Sequence, residues 1–96
     1  MTKIVHTKSE DRHSLEVFGH AEYGERGKDA VCASISSIVN LLTIDIMEDA
    51  DAFVVLKEGD CVLRWTGHEE VWKAVHAAIC YLEQEYPQNI SYLTVK

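Results

Sequence analysis

Covalent chemistry in this sequence would centre on Cys32 and His20, twelve positions apart. Asp29 is a good N-cap, and it places Cys32 at the third helical position. Backbone N–H groups without intrahelical acceptors, together with the positive end of the helix dipole, favour thiolate over thiol there. A setting of this kind is what brings a cysteine from a pKa of ~8.5 towards neutrality. His20 ends the preceding strand. Residues 21–28, polar and carrying Gly24 and Gly27, read as a mobile loop that could fold back and set the imidazole beside the sulfur. Such an imidazole would accept the thiol proton and later return it to a leaving amine. The pair therefore points to acyl transfer, with an oxyanion held most economically by the Cys32 N–H and a neighbour at the helix start.

Each surrounding residue has a plainer alternative. Asp29 caps the helix, and a second role in orienting His20 or the loop is open. Ser36 lies one turn beyond Cys32 on the same face, and its hydroxyl either bonds a carbonyl of its own helix or shapes the site. Gly19, Gly24 and Gly27 either permit positive φ in turns or let the loop swing aside for a peptide. Cys61, in a strand, and Cys80, among Ala77, Ala78 and Ile79, read as small packing residues. His68-Glu69 does not begin a H-E-x-x-H motif, because the next histidine is His76, and no cysteine pair has ligand spacing. Neither a metal nor another cofactor is expected. Trp65 and Trp72 are assigned to the core rather than to stacking on bases.

Periodicity sets the strands and helices around this pair. Residues 3–7 form a short β-type run, and the alternation Leu15, Val17, Gly19 against Glu16, Phe18, His20 gives its antiparallel partner. Val31, Ile35, Ile38, Val39, Leu42 and Ile46 recur at helical spacing. Residues 52–56 are apolar throughout and read as a central strand, and Glu58-Gly59-Asp60 turns the chain into a partner at residues 61–65. Thr66-Gly67-His68-Glu69 fits a capping box ahead of a second helix with Val71, Trp72, Val75, Ala78, Ile79 and Leu82 on one face. Pro87 bars its continuation, and residues 90–95 make a last strand. The order is β-β-α-β-β-α-β. The expected fold is an α+β two-layer sandwich, two helices packed on a mostly antiparallel sheet.

Ninety-six residues allow one domain, here residues 1–96, and one modest core. Sixteen acidic residues against nine basic give a net charge of −7. That balance disfavours direct nucleic-acid binding driven by counterion release and attracts a basic peptide or protein. The acidic tract at residues 45–60 reads as a solvated edge. No apolar run is long enough for a membrane span or a signal peptide. Three cysteines without C-x-x-C spacing fit a reducing, cytoplasmic setting rather than a disulfide framework.

Gly19-His20-Ala21, Gly24, Gly27, Asp29-Ala30-Val31-Cys32-Ala33 and Ser36 together resemble the signature of the ribosomal-processing cysteine protease (Prp) family. Ala30 and Ser34-Ile35 depart from the usual residues beside the cysteine and bear on local packing only. The resemblance implies a cytoplasmic cysteine endopeptidase, acting in ribosome assembly as a homodimer. Its substrate would be the N-terminal extension of large-subunit ribosomal protein number twenty-seven. By position, Cys32 would be the nucleophile and His20 the general base and acid. Gly19, Ala21, Gly24, Gly27, Asp29, Ala33 and Ser36 would support the site or bind substrate. The contrasting readings are a non-enzymatic ribosome-assembly module that binds the same acceptor, and a redox sensor acting through Cys32.

Overall fold

The helical stripes and strand alternations assemble as anticipated in the computed structural model, which describes residues 1–19, 30–57 and 59–95. In chain order the elements are β1 (Thr2–Ser9), β2 (Arg12–Phe18), α1 (Ala30–Ile46), β3 (Phe53–Lys57), β4 (Asp60–Thr66), α2 (Glu69–Glu85) and β5 (Ile90–Val95). The five strands form one sheet in the order β3-β4-β2-β1-β5. Its three pairings β1–β2, β2–β4 and β3–β4 are antiparallel, and β5 joins β1 in parallel. Glu10, at φ 58, turns the two-residue connection between β1 and β2.

One face of the sheet carries the core. Ile4, Leu15, Leu63, Trp65 and Ile90 are buried against Val31, Ile35, Val39, Leu42 and Ile46 of α1 and Trp72, Val75, Ile79 and Leu82 of α2. Burying each such side chain contributes roughly 1.5–3 kcal/mol, so the two stripes are what hold the helices on the sheet. Residues of the opposite parity, among them Lys3, Thr7, Arg12, Glu16, Phe18 and Arg64, are exposed on the other face. This is a two-layer α+β sandwich in the expected order. No helix among the described residues is long and apolar enough to cross a membrane.

Two local expectations are corrected. The apolar run at residues 52–56 is not central: β3 pairs only with β4 and lies at the sheet edge, with Phe53 46% and Leu56 52% exposed. Nor do residues 66–69 form a capping box. Thr66 is still in the sheet, opposite Arg12, and α2 starts at Glu69 behind a left-handed His68 (φ 54) that makes no side-chain cap. Glu69 thus stands in the first turn, where its charge suits the helix dipole, and its carboxylate is used elsewhere.

Candidate active site

Cys32 is the third residue of α1, in the first turn, where the helix N-terminus presents its N–H groups. It is half-buried and packs against the core. Its side borders a small cavity of about 100 Å³ whose walls come from distant parts of the chain: Thr2 of β1, Val17 of β2, Gly19, Gly59, and Ile35 and Ser36 of α1. A second hollow of about 180 Å³ shares Val17, Ile35 and Ser36 and extends to Val39, Asn40, Leu56 and Cys61. Together they follow α1 away from Cys32 along a largely apolar wall.

Gly19 is fixed by the backbone around it. Its φ is +88°, its N–H donates to the Gly59 carbonyl at 2.9 Å, and a Cβ there would come within 2.5 Å of the Met1 carbonyl oxygen. Only glycine fits this close approach. The residue directly before His20 is therefore anchored at the rim of the Cys32 cavity. His20, Ala21, Gly24, Gly27 and Asp29 lie outside the described residues.

Among the other sequence candidates, Ser36 shares the cavity with Cys32 but makes no back-bond within the described residues. That bond is made by Ser34, whose hydroxyl donates to the Ala30 carbonyl at 2.7 Å. Ala33 faces elsewhere, into a groove of about 530 Å³ between α1 and α2, beside Ser37, Ala78 and Tyr81. None of the three cysteines is in a disulfide. Burial pushes the Cys61 thiol up, with Asp60 adding to the rise and a bond to the Val17 backbone opposing it; that chemistry suits packing, not attack. Cys80 is half-buried with its sulfur 3.7 Å from His76 Nε2, and His76 Nδ1 meets the Tyr92 hydroxyl at 2.7 Å. Burial raises the Tyr92 phenol to about 12.

Sequence reasoning missed a set of histidines away from this cavity. His6 and His13 point inward from β1 and β2, 4% and 3% exposed, stacked on Trp65 and tilted against Trp72. His13 Nε2 lies 2.7 Å from Glu69 Oε2, and His6 Nε2 lies 2.9 Å from His13 Nδ1. When the Nε2–H of His6 donates to His13 and the Nε2–H of His13 donates to the carboxylate, His6 Nδ1 is left buried with no partner among the described residues. The signal was present: both histidines fall on the apolar parity of their strands. His68 bonds Asp45 at 2.7 Å through Nδ1 and Asp49 at 2.5 Å through Nε2, so part of the acidic tract is a clasp between helices, not only a solvated edge.

A family model described as cysteine protease Prp matches residues 1–91. A crystal structure of an essential ribosomal processing protease Prp from S. aureus, in complex with a covalently linked product peptide, is similar with a TM-score of 0.83. That match covers 98% of this chain and 99% of the other at 20% identity. The S. aureus protease with a substrate peptide matches at TM-score 0.75 and 19% identity, over 98% and 99% of the two chains. SMU.848 from Streptococcus mutans matches at 0.72 and 22%, over 99% of this chain and 94% of that one. A search of curated proteins finds no significant match. At these identities the structural likeness establishes the fold, and the family model carries the chemistry.

Proposed function

Because the chain belongs to the cysteine protease Prp family, we propose that it is a processing endopeptidase in which Cys32 is the nucleophile and His20 the general base and acid. The observation that carries this reading is the position of Cys32 in the first turn of α1, on a cavity whose rim includes Gly19, the residue before His20. His20 takes the thiol proton, and the thiolate adds to the scissile carbonyl. The resulting oxyanion accepts hydrogen bonds from N–H groups at the helix start. Collapse expels the amine, which His20 protonates, and leaves an acyl-enzyme thioester. Water, deprotonated by His20, then releases the acid product and restores the thiol. The covalently linked product peptide held by the S. aureus relative supports a covalent route.

The substrate is the N-terminal extension of a ribosomal protein, large-subunit number twenty-seven, in keeping with the ribosomal processing role of the S. aureus relative. A net charge of −7 favours approach of so basic a protein. The whole chain, residues 1–96, acts as one domain, in the cytoplasm and as a homodimer, without metal, other cofactor, nucleic acid or membrane. Gly19, Ala21, Gly24, Gly27, Asp29, Ala33 and Ser36 support the site or bind substrate.

The test is incubation of the precursor ribosomal protein with wild type and with Cys32→Ala, followed by intact mass. The wild type yields one shortened product. Cys32→Ala lowers the rate by 10³-fold or more, whereas Cys61→Ala and Cys80→Ala stay within about threefold of wild type. Cleavage that survives Cys32→Ala would overturn the assignment.

A further inference from the structure

The face of the sheet not covered by helices holds a feature that the proteolytic site does not use. Arg12 of β2 stands opposite Thr66 of β4, and Arg64 stands two residues back along β4, opposite Ser14. Side chains in that diagonal relation start roughly 7–8 Å apart, within reach of each other for residues as long as arginine. Like charges so placed repel, and acids outnumber bases in this chain by 16 to 9. Even so, among the described residues neither arginine is in an ion pair. Arg64 is held by an aromatic ring instead, its guanidinium carbon 5.1 Å from the centroid of Phe53.

Both arginines line a concavity of about 400 Å³. Hydroxyls converge on the same space: Thr7 and Ser14 in one cross-strand row with Arg64, and Ser9 and Thr66 in the next row with Arg12. One carboxylate, Asp51, also lines it and would oppose an anion. Two guanidiniums with donors on several sides suit a tetrahedral oxyanion better than a planar one, since each can present a fork to a pair of its oxygens.

We propose that this concavity is a binding site for a phosphoryl group, free or carried as an ester on a small molecule. The bound group would relieve the repulsion between Arg12 and Arg64. The site is at the opposite end of β1 and β2 from Cys32, whose cavity is bounded by Thr2 and Gly19. It is therefore independent of the proposed proteolysis and is tested without it.

The experiment is titration of the ¹⁵N-labelled protein with inorganic phosphate, followed by two-dimensional NMR at ionic strength held constant with chloride. A parallel arm uses phenyl phosphate and a control arm uses acetate. Saturable shifts confined to Thr7, Arg12, Ser14, Arg64 and Thr66 are expected with either phosphate. Tighter binding of phenyl phosphate marks an ester ligand, and equal binding marks the free ion. Arg12→Gln and Arg64→Gln should each weaken binding at least fivefold, and Asp51→Asn should strengthen it about twofold. Unchanged spectra elsewhere will show that the variants are folded, with Arg12→Lys and Arg64→Lys as milder replacements. Shifts that do not saturate, that persist in both glutamine variants, or that acetate reproduces equally would overturn the proposal.

Discussion

Gly19 shows how a single residue type can be dictated twice over. Its positive φ is a conformation that costs a residue with a side chain about 1–2 kcal/mol, and a Cβ would also strike the Met1 carbonyl oxygen at 2.5 Å. Gly67 has a similar φ of +80° but open space around the missing Cβ, so the two glycines separate backbone conformation from steric contact. Gly67→Ala should therefore cost only about 1 kcal/mol. Gly19→Ala should cost ~2 kcal/mol or more, because the N-terminal residue must also move. Thermal unfolding of the two variants checks this: the midpoint of Gly19→Ala should fall by at least twice as much as that of Gly67→Ala. Because Gly19 borders the Cys32 cavity, its replacement should also slow precursor cleavage, while Gly67→Ala should leave it near wild type.

At the scale of elements, the joint between the end of α1 and the start of α2 depends on His68. A left-handed backbone turns this residue so that its ring lies between Asp45 and Asp49. Both ring nitrogens donate when the imidazole is protonated, and bonds to Asp49 and then Asp45 raise its pKa above the usual 6.5. A raised folded value means that the clasp contributes fully below pH ~6.5, the unfolded value, and is lost as pH rises through the folded one. The difference in melting temperature between wild type and His68→Gln should accordingly be largest in mildly acidic buffer and shrink towards alkaline pH. A difference that does not vary with pH would remove the protonated clasp. The same joint shows why sequence reading stopped short. The apolar stripes of both helices were legible because period 3.6 reports one buried face directly. T-x-x-E at residues 66–69 has the form of a capping box, but the pattern carries no information that Thr66 is still paired in β4. Residues 52–56 do not reveal their edge position, because an apolar run looks the same in a middle strand and in an edge strand lying beside one partner. For the active site, Cys32 and its helix start were legible in local sequence. Thr2 and Gly59 were not, since sheet pairing brings those walls of the cavity together from distant parts of the chain.

For the molecule as a whole, the buried histidines set how the fold responds to acid. His6 joins β1 to β2 through His13, and His13 joins β2 to α2 through Glu69, so this polar chain crosses both layers of the sandwich. Burial, followed by the repulsion of His13, His76 and Lys8, lowers the His6 pKa to about 4, and the charge of Glu69 only partly offsets this. Because the folded value lies below the unfolded 6.5, the unfolded chain takes up a proton first as pH falls. Stability is therefore present above pH ~6.5 and is lost progressively down to about pH 4, by an amount on the order of 3 kcal/mol. The direction is opposite to that of His68, so this linkage and the clasp together confine maximal stability to a window near neutrality. His6→Phe keeps an aromatic ring against Trp72 but cannot take up the proton. It should lose stability at pH 7, where His13 is left without its donor, and should show a flatter decline between pH 6.5 and 4. Urea midpoints measured for both proteins across that range decide the matter. Parallel curves would mean that acid sensitivity arises elsewhere, whereas convergence towards pH 4 locates it in the histidine chain that ties the sheet to α2.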